Sequence, residues 1–265
     1  MDIAGYLAAV LIGVSLGLIG GGGSILTVPV LVYLFRIDAM LATTYSLFIV
    51  GISSIAGSVS YFRKGLVSVR TALLFGIPSI VAVLITRVLI LPIIPPEIHF
   101  FGNTGLSREI LLLVLFALLM LLASFSMIRK SGGQMQEDPS PRTSLPIIFS
   151  RGLGVGFVTG LVGAGGGFLI IPVLVNMIRI PMKMAVGTSL FIISVNSLLG
   201  FSASLKNADI DWTFLIIISL IAITGILAGS YLATKIDGKK LKPAFGWFVL
   251  VMGIYIIIRE TVMKG

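Results

Sequence analysis

Two runs of glycine carry the first chemical signal in the chain: Gly20, Gly21, Gly22 and Gly23, followed by Ser24, and Gly163-Ala164-Gly165-Gly166-Gly167. Each glycine costs a helix about 1 kcal/mol relative to alanine, so such a run interrupts it. A helix that restarts near Ser24 or Gly167 turns free N–H groups and a positive dipole end into the break, an arrangement that suits an anion. Downstream of each run lies an uncharged polar group. Thr43-Thr44-Tyr45-Ser46 in one place and Gly187-Thr188-Ser189 in the other each precede Leu-Phe-Ile, and Ser53, Ser54, Asn196 and Ser197 follow two to three turns later. Hydroxyls and amides can donate to a desolvated oxyanion without adding fixed charge. The candidate binding set is therefore Gly20 to Ser24, Thr44, Ser46, Gly163, Gly165, Gly166, Gly167, Thr188, Ser189 and Asn196, with Ser46 and Ser189 its strongest pair. A plainer account is open for both classes: glycines also permit close helix packing, and Ser and Thr also bond to their own helix.

Arg87 is the one cation inside an apolar run, with seven apolar residues after it. It could attract an anionic substrate or snorkel to the interface, and of the two snorkelling is favoured. Arg36 and Arg179 stand at segment ends and are read as topology or helix-end signals. All ten acidic residues lie in loops or at segment ends, so a buried carboxylate relay and an acidic cage for a metal are not expected, and the substrate is not expected to be a cation. No catalytic residue, metal site or cofactor is expected. Gly13-Val14-Ser15-Leu16-Gly17 spells a nucleophile elbow, but that motif needs a strand-turn-helix context and a histidine, and the sole histidine, His99, follows Pro95-Pro96 in a loop. Gly17 to Gly23 resembles a dinucleotide fingerprint without the surrounding βαβ unit.

The elements that must hold these residues follow from composition. Of 265 residues 57% are apolar and 11% charged, the mean hydropathy is +1.14, and glycine brings the apolar share to roughly two-thirds. That excludes an ordinary soluble domain and a disordered chain, and points to a helical membrane protein. The net charge of +9 sits in short breaks between apolar runs rather than on one polar face, so retention of Lys and Arg on the cytoplasmic side explains it better than nucleic acid does. Without cysteine, disulfides and thiolate chemistry are excluded. Met1-Asp2 offers no basic leader region, and a cleavable signal peptide is not expected.

Eight charge-free stretches stand out: 3–35, 39–62, 71–86 (continuing past Arg87 to Ile94), 110–128, 152–178, 184–205, 212–234 and 243–258. Most approach the 20 residues or so that a helix needs to cross hydrocarbon. The polar stretch 129–151 divides them four and four, giving a first repeat at 1–128, a cytoplasmic linker at 129–151 and a second repeat at 152–265. The halves are homologous: with Pro29 over Pro172, residues 13–57 run against 156–200 without a gap and with about 20 identities in 45 positions. The first stretch is too long for one untilted crossing and too short for two, so each glycine break is read as the turn between two short helices that enter and leave on one side. With that folding 13 Lys and Arg share one side and 6 the other, whereas eight simple crossings divide them 10 to 9. The positive-inside rule favours the broken segments, and with them halves of inverted orientation.

Gly17-Leu-Ile-Gly-Gly-Gly-Gly-Ser-Ile-Leu-Thr-Val-Pro29, its twin Gly160-Leu-Val-Gly-Ala-Gly-Gly-Gly-Phe-Leu-Ile-Ile-Pro172, and Ala185-Val-Gly-Thr-Ser-Leu-Phe191 with the weaker copy Ala42-Thr-Thr-Tyr-Ser-Leu-Phe48 resemble the sulfite exporter TauE/SafE family, also called toluene sulfonate uptake permeases. The resemblance covers nearly the whole chain and departs from the pattern at Thr44-Tyr45, where the second half has Gly-Thr. It implies a multi-pass inner-membrane transporter among lipids, with sulfite or an organosulfonate as its small anionic cargo and no enzymatic activity. The alternatives are an intramembrane enzyme, which would need an ionisable pair facing a cavity, and a membrane subunit without transport. A reporter fused at Gln134 should lie in the cytoplasm; one found outside would overturn the inverted arrangement.

Overall fold

The computed structural model describes residues 3–95, 97–99, 105–128, 145–162, 167–205 and 209–262. Its elements in chain order are α1 (Ile3–Ile19), α2 (Gly22–Tyr33), α3 (Ala39–Arg63), α4 (Val69–Ile85), a π-helical turn (Thr86–Ile90), α5 (Leu91–Ile93), a two-stranded antiparallel hairpin β1 (Glu97–His99) and β2 (Gly105–Ser107), α6 (Arg108–Ile128), α7 (Leu145–Val162), α8 (Gly167–Pro172), a second π-helical turn (Val173–Met177), α9 (Met182–Ser204), α10 (Trp212–Lys235) and α11 (Gly238–Val262). Apart from that small hairpin the described residues form a helical bundle. Local chemistry sets the helix starts. Asp38 caps α3 by accepting from Met40 N and Leu41 N (2.9 and 3.2 Å), and Asp211 caps α10 by accepting from Phe214 N (3.0 Å).

Helix ends repeat between the halves. Arg36 (φ 56°) and Arg179 (φ 63°) are the only non-glycine residues with positive φ among the described residues. In both places the following N–H reaches back to close the helix: Ile37 N to Leu31 O (3.1 Å) and Ile180 N to Leu174 O (3.2 Å). Each bond spans six residues, one more than a Schellman closure, because the last turn is widened to π-type bonds (Phe35 N to Val30 O, Ile178 N to Val173 O); the left-handed position is one where glycine is usual and arginine costs about 1–2 kcal/mol. Both arginines are thus helix terminators.

The first broken segment is a hairpin. α1 ends at Ile19, Gly20 and Gly21 form the turn, and α2, which includes Gly22 and Gly23, folds back so that Gly23 packs on Leu16 and Ile12 while Phe35 returns to Gly5. Both ends of the segment therefore lie at the same end of the bundle. In the second half α7 and α8 flank residues 163–166, which fall outside the described residues together with the candidates Gly163, Gly165 and Gly166.

Glycine sets how the hairpins dock. α1 lies parallel to α10, close enough that a methyl on Gly13 would strike the Ala222 carbonyl oxygen and one on Gly17 that of Ile226; α7 lies likewise along α4, with Gly156 against Ser79 O. The offset that places Pro29 over Pro172 also pairs Gly13 with Gly156 and Ser79 with Ala222, so the two contacts are reciprocal. The matched helices α3 and α9 pack antiparallel: Gly57 meets Leu190 and, reciprocally, Gly200 meets Leu47. α6 and α11 also pair, with Gly246 by Ile128 and Gly253 by Leu121.

Four helices among the described residues are long and apolar enough to cross a membrane: 39–63, 69–93, 182–204 and 212–235. Large apolar side chains such as Leu11, Ile93, Leu122, Leu220 and Val251 are exposed on the outside of the bundle, as a hydrocarbon solvent permits and water would not. Gly154 and Gly156 separate packing from propensity, since a Cβ at Gly154 meets nothing within 4 Å. Gly154→Ala should leave the melting temperature unchanged or raise it by the equivalent of up to about 1 kcal/mol. Gly156→Val should lower stability by about 2 kcal/mol or more, both read as thermal unfolding in detergent.

Candidate functional site

The first glycine break meets Gly167, the last glycine of the second run, inside the bundle. Gly20 has φ +75°, a conformation that side chains resist, and the space a Cβ would need is taken by Ser189 Oγ at 2.7 Å and Ile171 Cδ1 at 3.0 Å. A Cβ on Gly167 would stand 2.5 Å from the Cα of Gly21 and would press on Ile193. Residues from both hairpins and from α9 therefore share one spot. Gly23 has a different part, packing on α1, and Gly22 and Ser24 open α2 beside it.

A helix that ends inside a membrane leaves carbonyls that need donors. Two side chains answer this next to the breaks. Tyr61 Oη donates to Gly17 O (3.0 Å) at the end of α1, and Arg87 Nε donates to Gly160 O (3.1 Å) at the end of α7. Arg87 does not snorkel, contrary to the expectation from its position in the sequence. It is 7% exposed, its Nη1 donates to Ser204 Oγ (2.8 Å), and Nη2 has no partner. The reason is local: the π-helical turn at Thr86–Ile90 sits against α7 and α9, and Gly160, where a Cβ would strike Thr86, lets that turn approach closely enough for the guanidinium to reach its carbonyl.

The candidate hydroxyls divide into occupied and unoccupied groups. Thr44 Oγ1 donates to Met40 O (3.2 Å), Ser189 Oγ donates to Val186 O (2.8 Å), and Thr188 Oγ1 accepts from Ser68 N (2.9 Å). These three tie down helices and loops, although Ser189 Oγ still faces Gly20. Ser46 Oγ, by contrast, is buried without a hydrogen-bond partner, as are Ser53 Oγ, Ser54 Oγ, Ser197 Oγ and Asn196 Oδ1. Asn196 Nδ2 is held by Ser79 Oγ at 2.7 Å, which leaves its carbonyl as the free end. Ser53 and Ser54 match Asn196 and Ser197 in the repeat, so the orphans lie on the two packed helices α3 and α9. Buried polar atoms are nearly always bonded, which makes these five oxygens candidates to bind something polar. Thr86 Oγ1 is a further buried hydroxyl without a partner.

Ser15, the apparent nucleophile, donates to Ile12 O (2.9 Å) as an ordinary helix back-bond. Among the described residues no group of three His, Cys, Asp or Glu could hold a metal. The pattern of residue types brought out Ser46 and Asn196. It missed Ser79, Thr86, Tyr61 and Ser204, which carry no motif and join the site only through tertiary contacts.

The family model described as sulfite exporter TauE/SafE matches residues 5–256. The chain is 29% identical over 257 residues to a probable membrane transporter protein of Xylella fastidiosa strain 9a5c, covering 94% of this chain and 92% of that one. It is 24% identical over 268 residues to the probable membrane transporter protein YunE of Bacillus subtilis, covering 91% and 89%. A probable membrane transporter protein of Methanocaldococcus jannaschii is 36% identical over 118 residues, 42% of this chain and 44% of the relative. No solved structure matches. A family model spanning nearly the whole chain, on a bundle with four membrane-length helices, places this multi-pass membrane protein in the sulfite exporter TauE/SafE family of transporters.

Proposed function

We propose that the chain is a secondary transporter of a small anion, with sulfite or an organosulfonate the cargo that fits best. Its site lies where the Gly20–Gly21 turn meets Gly167 and where Ser46, Ser53, Ser54, Asn196 and Ser197 present buried unbonded oxygens. What supports this reading is the meeting of the Gly20–Gly21 turn with Gly167 and Ser189, together with the buried unbonded oxygens on the neighbouring helices α3 and α9. Broken backbone at membrane depth is tolerated where it is enclosed or lines a cavity, and in transporters built from repeats such breaks mark the substrate site. Hydroxyls suit an oxyanion because they can turn their O–H groups toward it. Gly163, Gly165 and Gly166 complete the second break in this reading, and Gly22 and Ser24 the first. Transport rather than catalysis is the activity, since no nucleophile–base pair stands among the candidate residues.

Alternating access follows from the arrangement of the halves, 1–128 and 152–265 about the linker 129–151. Antiparallel packing of the matched helices α3 and α9, and the reciprocal docking of α1 on α10 and α7 on α4, support an inverted repeat with its pseudo-twofold axis in the membrane plane. The excess of Lys and Arg on one side supports the same orientation. Rocking one half against the other then exposes the shared spot to each side in turn.

Ser46→Ala tests the site. An unbonded buried hydroxyl costs about 1–3 kcal/mol, so its removal should leave stability unchanged or raised, while sulfite flux into proteoliposomes falls about tenfold. In the wild type, sulfite at 100 times its dissociation constant should raise stability by about 2.7 kcal/mol, and a panel with thiosulfate, sulfoacetate, taurine and chloride should rank the cargo. Unchanged flux in both Ser46→Ala and Asn196→Ala would show the site to be misplaced.

A further inference from the structure

The seam between α4 and α9 carries a polar pair near its centre and another at one end. Near the centre Asn196 bonds Ser79; one turn on, a Cβ at Gly200 would lie 3.4 Å from Val83; a turn beyond that, Ser204 accepts from Arg87. Asn196, Gly200 and Ser204 are four residues apart and share one face of α9, spanning about 12 Å. The matched seam between α3 and α10 follows the same course with different chemistry. Ser53, Gly57 and Tyr61 stand in place of Asn196, Gly200 and Ser204, and Ala222, Ile226 and Ser230 in place of Ser79, Val83 and Arg87. There Gly57 packs on Ile226, and the neutral Tyr61 hydroxyl holds the Gly17 carbonyl.

Arg87 thus sits where the other half has a serine. Two of its nitrogens brace Gly160 and Ser204, the third is buried and unpartnered, and the adjoining Thr86 Oγ1, also buried and unpartnered, lies against Gly160. No Asp or Glu pairs with Arg87 among the described residues. A buried cation without a counter-charge is strongly unfavourable, and an anion at the free nitrogen relieves it. We propose that Arg87 Nη2 and Thr86 Oγ1 form a second anion subsite, for a sulfite or sulfonate oxyanion, at the far end of the α4–α9 seam and in that half alone. This rests on the reading that the cargo is an anion. It deepens that reading by making the two seams unequal: one ends in a buried cation, the other in the neutral hydroxyls of Ser60 and Ser230, with the field focused on one side.

Sulfite titrated against the purified full-length protein, with binding read by calorimetry and by thermal shift, tests the subsite. Arg87→Gln is expected to weaken sulfite binding about tenfold or more, the scale of a lost charge-assisted hydrogen bond, beyond any lowering of the ligand-free melting temperature from the lost bonds to Gly160 and Ser204. If Arg87 only braces Gly160 and Ser204, the folded variant binds sulfite as the wild type does, and the proposal is overturned. Should Arg87→Gln not fold, Arg87→Lys carries the test. A single ammonium cannot hold Gly160, Ser204 and an anion in one plane as the guanidinium fork does, so binding should weaken about fivefold; undiminished binding overturns the subsite. Wild-type protein that neither binds nor carries any anion of the panel would sink the broader reading of the cargo, a result distinct from normal wild-type binding with no effect at Arg87.

Discussion

In hydrocarbon there is no water to bond a free N–H or C=O, and a helix that stops partway across must find partners within the protein. The architecture depends on how α1 and α7 meet that demand. Each stops just before a glycine break, and each has a carbonyl of its last turn bonded by a side chain from the other segments: Gly17 O by Tyr61 and Gly160 O by Arg87. Those bonds require the hairpins to lie deep among α3, α4, α9 and α10, and only glycine allows that approach. At Gly13, Gly17, Gly156 and Gly160 the neighbouring helix occupies the volume of a side chain. The same compactness brings Gly21 against Gly167. Close packing and the proposed binding place are thus two results of one constraint.

The centre and the periphery of the site handle polarity differently. On the packed helices α3 and α9 the buried polar atoms are neutral and several lack partners, which keeps the cost of desolvation modest while leaving bonds to be made. Along the α4–α9 seam a full charge is buried, held by a carbonyl and a hydroxyl and not by a carboxylate. In the proposed reading a neutral centre would bind an anion without trapping it, and the cation beside Ser204, about 12 Å along the seam from Asn196, would act on its approach.

The two halves share backbone and diverge in side chains. Left-handed arginines end both hairpins, and the docking contacts are reciprocal to the residue. Yet Tyr61 and Ser230 in one seam correspond to Ser204 and Arg87 in the other, a large residue traded between facing helices. Such an exchange keeps the volume of the seam while changing its charge, so symmetry of fold coexists with asymmetry of chemistry.

Much of this was legible in the residues alone. Apolar stretches of membrane length, the duplicated glycine motif and the absence of internal carboxylates are properties of single segments or of a linear alignment, and they determined the helical membrane class, the two homologous halves and the family resemblance. Ser46 and Asn196 were also within reach, being polar residues on apolar helices. Their neighbours Thr44, Thr188 and Ser189 looked equivalent, and only the folded chain separates hydroxyls bonded to backbone from those left free, because that depends on geometry within a turn and on which loop passes overhead. Arg87 marks the same limit: a long cationic stem near a segment end is free to snorkel until α7 presents Gly160 and α9 presents Ser204 beside it. Segment identity is local and so is written in the order of residues. The partners of Arg87 come from positions 73 and 117 residues away in the chain, and packing between the halves decides them.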